Sequence, residues 1–129
     1  MGKKRILVVD DEPDFLEVIT IRLEANDYEV ITACNGNEAL EKIKSEKPDA
    51  VLLDILMPGI DGLEVLKKIR KTDSKLPVYM LTAFSTDERF RMANKFGASG
   101  FIVKTTDDIA KEIGNITAAL NISGKFQKK

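Results

Sequence analysis

The sequence predicts an α/β fold: a three-layer, doubly wound domain with a five-stranded parallel sheet between layers of helices. Two observations predict it. Five short apolar runs recur along the 129 residues, at 6–9, 28–33, 50–53, 78–81 and 101–103. Between them lie stretches whose apolar residues return at the period of a helix seated on a core. Alternation of this kind demands right-handed crossovers and places helices on both faces of the sheet.

The elements follow in order. The run at 6–9 has no polar alternation, the pattern of a strand buried on both faces. Phe15, Leu16, Ile19 and Leu23 then share one helical face, with Pro13 suited to a first turn. The second run, 28–33, is more mixed and predicts a strand at or near an edge. An Asn35-Gly36 turn leads to a helix striped by Ala39, Leu40 and Ile43. A third buried strand, 50–53, is followed by a Pro58-Gly59 turn and a helix carrying Leu63, Leu66 and Ile69, with Asp61 as N-cap rather than ligand. The strand at 78–81 precedes a helix marked by Phe90 and Ala93 that ends near Gly97. A final strand, 101–103, precedes a helix carrying Ile109, Ile113, Ile116 and Leu120, capped by Thr106 or Asp107. The domain is expected over residues 4–121, and 122–129 as a frayed basic tail.

Composition narrows the function. The chain is 43% apolar and 32% charged, with 20 basic and 21 acidic residues, so no net charge draws it to nucleic acid or to a membrane surface. It has no histidine and one cysteine, which excludes histidine catalysis, an internal disulfide and a zinc site. Cys34 reads as an inert small apolar residue. The apolar run at 6–9 is too short for a signal peptide or a membrane span, and a cytoplasmic protein is the expectation.

The chemistry gathers at one edge. Ligands of such sheets bind beyond the carboxyl ends of the strands. There Asp10 and Asp11 follow the first strand, Asp54 ends the third, Thr82 the fourth and Lys104 the fifth. Three carboxylates against one ammonium leave two negative charges, which a divalent cation neutralises. Hard oxygen donors with no histidine or cysteine point to Mg²⁺ or Mn²⁺. Lys104 and the Thr82 hydroxyl are suited to hold phosphoryl oxygens.

Four motifs extend this pattern: Ile6-Leu7-Val8-Val9-Asp10-Asp11-Glu12-Pro13, Asp54-Ile55-Leu56-Met57-Pro58-Gly59-Ile60-Asp61-Gly62, Leu81-Thr82-Ala83, and Gly97-Ala98-Ser99-Gly100-Phe101-Ile102-Val103-Lys104. In that order and spacing, from Lys4 to about Leu120, the chain resembles the receiver domain of two-component response regulators, the CheY-like group. The resemblance implies a flavodoxin-like sheet of order 2-1-3-4-5. It implies that Asp54 accepts a phosphoryl group from a sensor histidine kinase or a histidine phosphotransfer protein. Asp11, Asp54 and the Leu56 carbonyl correspond to direct metal ligands, with Asp10 acting through water. Thr82 corresponds to the hydroxyl that turns to the acyl phosphate, Lys104 to the cation that bridges to it, and Phe101 to the aromatic that packs inward on activation. The implied switch is a small two-state shift of loops and of the fourth-helix/fifth-strand surface.

The chain also departs from the family. Thr105 stands where receivers carry proline, and a cis bond before a non-proline residue costs about 2.5–4 kcal/mol, so a trans peptide is expected there. Leu56 and Phe84 occupy positions that flank the path of the hydrolytic water, and their bulk is expected to shield the acyl phosphate. Val18, Ile21 and Ala25 lie off the main apolar face of the first helix and read as flank packing, with docking of a partner's phosphohistidine helix as the alternative.

Other functions fit less well. An aspartyl-nucleophile phosphatase of the haloacid-dehalogenase kind wants a second Asp two residues after the nucleophile, where this chain has Leu56. No Gly-x-x-x-x-Gly-Lys or Gly-x-Gly-x-x-Gly loop supports nucleotide binding. A degenerate receiver acting as a scaffold is the remaining alternative. Residues after Leu120 are too few for an output domain. The expected partner is therefore a downstream protein effector, or a C-terminal output domain of a longer protein.

Overall fold

A computed structural model describes residues 4–82 and 87–103, with the backbone alone at Thr82, Asp87 and Val103. Its elements are β1 (Arg5–Val9), α1 (Pro13–Ala25), β2 (Glu29–Ala33), α2 (Gly36–Glu46), β3 (Ala50–Asp54), α3 (Gly62–Thr72), β4 (Val78–Thr82), α4 (Asp87–Lys95) and β5 (Gly100–Val103). The five strands form one parallel sheet of order β2-β1-β3-β4-β5. The expected sheet is therefore present, with β2 at an edge as its mixed pattern implied. The expected fifth helix and the 122–129 tail lie outside the described residues.

Strand alternation divides the core. Leu7, Val9, Val51, Leu53, Val78 and Met80 point to one face, where they meet Ala39 of α2, Leu63, Val65, Leu66 and Ile69 of α3, and Ala93 of α4. Ile6, Val8, Ala50, Leu52, Tyr79 and Leu81 point to the other, where Ile19 and Leu23 of α1 cover them. All five residues of β3 are buried, because the strand lies in the middle of a sheet covered on both faces.

Local chemistry sets the helix ends. Pro13 occupies the first turn of α1, where its missing N–H costs nothing. Asp61 caps α3, its carboxylate accepting the Glu64 N–H at 3.0 Å. The Asn35-Gly36 pair is not a free turn: Asn35 is the N-cap of α2, accepting the Glu38 N–H at 2.8 Å, and Gly36 is the first helical residue. A Cβ at Gly36 would press on Val65 Cγ2 and Ile60 Cγ2, so glycine lets α2 and the α3 region approach.

Two further readings are corrected. Val18, Ile21 and Ala25 are exposed, Ile21 by 59%, so they are not flank packing. Cys34 does not act as a small apolar residue: it is exposed, and its Sγ–H donates to Glu38 Oε1 at 3.2 Å. That acceptor and its charge raise the thiol pKa. Glu38 also accepts the Cys34 N–H and pairs with Lys42 at 3.0 Å, and these contacts lower its pKa to about 2.

Candidate functional site

The site is built where β1 and β3 end. The Asp10 N–H donates to the Ala33 carbonyl at 3.1 Å, carrying the β1–β2 ladder one residue beyond the strand. This fixes the backbone of Asp10 and leaves its side chain fully buried at the sheet edge. The Glu12 N–H donates to Asp10 Oδ1 at 2.9 Å, a turn that steers the chain into α1 and orients the carboxylate. Asp11, between them, is exposed.

Asp54 is the last residue of β3 and pairs in register with Leu81 of β4. Ile55 extends the ladder by donating to the Leu81 carbonyl at 3.0 Å. Asp54 is only 5% exposed, and its Oδ1 accepts the Leu56 N–H at 3.3 Å. Leu56 itself is 44% exposed beside it.

These elements bring Asp10, Asp11 and Asp54 together: one carboxylate oxygen from each lies within 4.8 Å of the others. The donor set suits a hard divalent cation. Carboxylate oxygens this close could share one such ion, directly or through a bridging water. Gathering three carboxylates, two of them buried, is otherwise unfavourable, since close like charges repel more strongly away from bulk water. Charge repulsion of this kind is what a bound cation relieves.

The other expected site residues stand as follows. Thr82 is the final residue of β4, in register with Val103 of β5, but its side chain lies outside what is described. Lys104, Thr105 and Phe84 also lie outside the described residues. Phe101 is half-buried in β5, and its ring meets that of Phe90 edge-on, with centroids 4.7 Å apart and planes at 88°. The ring thus links β5 to α4 and is neither wholly core nor wholly surface.

One contributor was not singled out from the residues. The Gly62 N–H donates to the Ile55 carbonyl at 2.9 Å, seating the start of α3 on the end of β3. A Cβ there would overlap the Asp54 carbonyl oxygen and stand 2.8 Å from Ile55 Cα. Backbone meets backbone at this point, so only glycine fits without moving Asp54. The available signal was a glycine at the first helical position, directly after the capping Asp61.

Comparison with known proteins gives concordant results. Residues 6–113 match the response regulator receiver domain family. The alkaline phosphatase synthesis transcriptional regulatory protein PhoP of Bacillus subtilis is 43% identical over 103 residues, covering 78% of this chain and 42% of that protein. The chain thus spans less than half the length of this curated relative. Among solved structures, a CheY-like receiver domain protein of Methanospirillum hungatei superposes with a TM-score of 0.86 at 31% identity, covering 96% of this chain and 98% of that one. The response regulator TrrA of Thermotoga maritima, solved in complex with Mg²⁺-BeF, gives a TM-score of 0.78 at 40% identity, with 90% of this chain and 98% of that chain covered.

Proposed function

The chain belongs to the response regulator receiver domain family, and from that membership we propose that it is a phosphorylation switch whose phosphoacceptor is Asp54. Response regulators work with histidine kinases and output domains. The observation that carries the assignment is the convergence of Asp10, Asp11 and Asp54 within 4.8 Å at the carboxyl ends of β1 and β3.

In this reading a carboxylate oxygen of Asp54 attacks the phosphorus of a phosphohistidine. The O–P bond forms as the P–N bond breaks, and the imidazole leaves with the electron pair. The Leu56 N–H holds Asp54 Oδ1 and so orients the carboxylate for in-line approach. Asp11, Asp54 and the Leu56 carbonyl, with Asp10 through water, would hold a divalent cation, which would supply neutralisation of the phosphoryl oxygens. Lys104 and the Thr82 hydroxyl take the remaining oxygens. Leu56 covers the acyl phosphate against water, and Phe101 with Phe90 relays the change to α4. The domain, proposed over 4–121, turns over no separate substrate and acts in the cytoplasm on a protein effector or an attached output domain. Among the described residues no helix is long and apolar enough to cross a membrane.

The test is adduct formation with beryllofluoride or acetyl phosphate, with and without Mg²⁺, by intact mass and by fluorine NMR. A single adduct that needs both Mg²⁺ and Asp54, and is lost in Asp54→Asn, is expected. An adduct that persists in Asp54→Asn, or none at all in the wild type, overturns the assignment.

A further inference from the structure

Two surfaces of this chain carry opposite charge. Residues 11–29, which include α1, contain seven acidic side chains and one basic. Residues 64–95, which include most of α3 and all of α4, contain eight basic and four acidic. The whole chain carries a net charge of −1, so the asymmetry is one of placement. The two surfaces lie on opposite sides of the sheet. Residues of α1 pack with Ile6, Val8 and Leu52, whereas those of α3 and α4 pack with Leu7, Leu53 and Met80.

Each surface also has an apolar centre. On α1, Val18, Ile21 and Ala25 fall on one helical stripe and are exposed, although Ile19 and Leu23 already seat the helix on the sheet. Asp14 lies one turn before Val18, and Glu17 and Glu24 flank the stripe, all three exposed. On the other side, α3 and α4 meet along a seam. Arg70 Nε–H donates to the Gly97 carbonyl at 2.9 Å, and Lys67 Nζ stands 5.6 Å from the centre of the Phe96 ring. Met92, one turn before Phe96, is 37% exposed and extends this apolar strip. Lys67 and Lys71, one turn apart on α3, and Lys95 on α4 are exposed beside it. Among the described residues no ion pair engages Asp14, Glu17, Glu24, Lys67, Lys71 or Lys95. Each surface has a minority charge as well: Arg22 on α1, and Glu64, Asp87 and Glu88 on α3 and α4.

An apolar stripe rimmed by carboxylates and an apolar strip rimmed by ammonium groups complement each other in both respects. We propose that a second copy of this chain seats its α1 in the α3–α4 seam. Val18 and Ile21 of one copy meet Met92 and Phe96 of the other, and the α1 carboxylates face Lys67, Lys71 and Lys95. The two surfaces differ and lie on opposite sides of the sheet, so the contact is heterologous and joins copies head to tail. Solvent-open ion pairs around a small apolar centre make such an association weak and sensitive to salt. It goes beyond the phosphorylation reading and does not depend on it.

Sedimentation equilibrium of the full chain, at up to about 1 mM protein, tests it. A Kd of about 0.1 mM is expected in ~20 mM salt, weakening about tenfold in ~0.5 M salt. The charge reversals Lys67→Glu/Lys71→Glu and Glu17→Lys/Glu24→Lys should each weaken association about tenfold or more. An equimolar mixture of the two variants should recover it, because each then meets a complementary surface on the other. A wild-type chain that stays monomeric at about 1 mM in low salt overturns the proposal, as does a mixture that does not recover. Association weakened by only one reversal would mean that α1 or the seam meets some other surface, and this also overturns it. Far-UV circular dichroism checks that each variant is folded. Should a reversal fail to fold, Lys67→Gln/Lys71→Gln and Glu17→Gln/Glu24→Gln decide instead. Each should weaken association about threefold, and no change in either overturns the pairing.

Discussion

The two edges of the sheet treat charge in opposite ways. At the amino ends of the strands, Arg5 pairs with Glu29 at 3.2 Å and Glu46 at 3.6 Å, and its Nη1 donates to the Glu46 carbonyl at 2.7 Å. Its own backbone N–H donates to Asp49 at 2.7 Å. Signs alternate there, and the groups join β1, β2, α2 and the entry to β3. At the carboxyl ends, Asp10, Asp11 and Asp54 bring like charges together. The first edge is arranged for stability. The second accepts an electrostatic cost that a ligand can repay, which is the trade expected of a binding site.

Four substitutions sharpen that contrast. The largest effect is expected from Gly62→Ala, because the new methyl meets the Asp54 and Ile55 backbone rather than a yielding side chain. Urea unfolding should show a loss of about 3 kcal/mol or more, together with loss of the beryllofluoride adduct. A stable Gly62→Ala protein with normal adduct formation would refute the close seating of α3 on β3.

Asp10→Asn comes next. Its Oδ1 can still accept the Glu12 N–H, while one of the clustered negative charges is removed. Thermal melts without metal should gain about 1 kcal/mol, and Mg²⁺ affinity should fall about tenfold or more. A drop in metal-free stability would mean that the carboxylates are not in net conflict.

At the opposite edge Arg5→Ala should do the reverse. It should lose about 1 kcal/mol in low salt, less in 1 M salt, and leave Mg²⁺ affinity unchanged, because the ion pairs are solvent-exposed and screened.

The smallest effect is expected at Glu38, whose pKa falls from 4.5 to about 2 on folding. A lowered carboxylate pKa stabilises the fold above the unfolded value, and that contribution is lost as pH falls through the folded one. Glu38→Gln should therefore be slightly less stable than wild type at pH 7. The difference should shrink between pH 4.5 and about pH 2 and vanish below it. A gap that widens on acidification would contradict the hydrogen bonds assigned to Glu38.

Legibility in the sequence differed between fold and site. The strands were readable because their runs lack polar alternation, and β2 was placed at the edge because its run has some. Asp54 and Asp10 were readable as strand-end acids. The Asn35-Gly36 pair misled because the same dipeptide serves a turn or a helix cap, and its partner Glu38 decides which. Val18 and Ile21 misled because an apolar residue on a helix does not say whether a neighbour reaches it.

The sequence by itself determined the alternation of elements, the sheet's burial on both faces and the chemical type of the site: hard oxygen donors with no histidine. Those properties are local, set by side-chain period and residue type. Only the tertiary structure decided that carboxylates from 10, 11 and 54 share a sphere of 4.8 Å, that Gly62 must be bare against Asp54, and that Arg70 reaches Gly97. Each depends on how far one element is allowed to approach another. That distance is set by packing across the whole sheet, not by any stretch of chain.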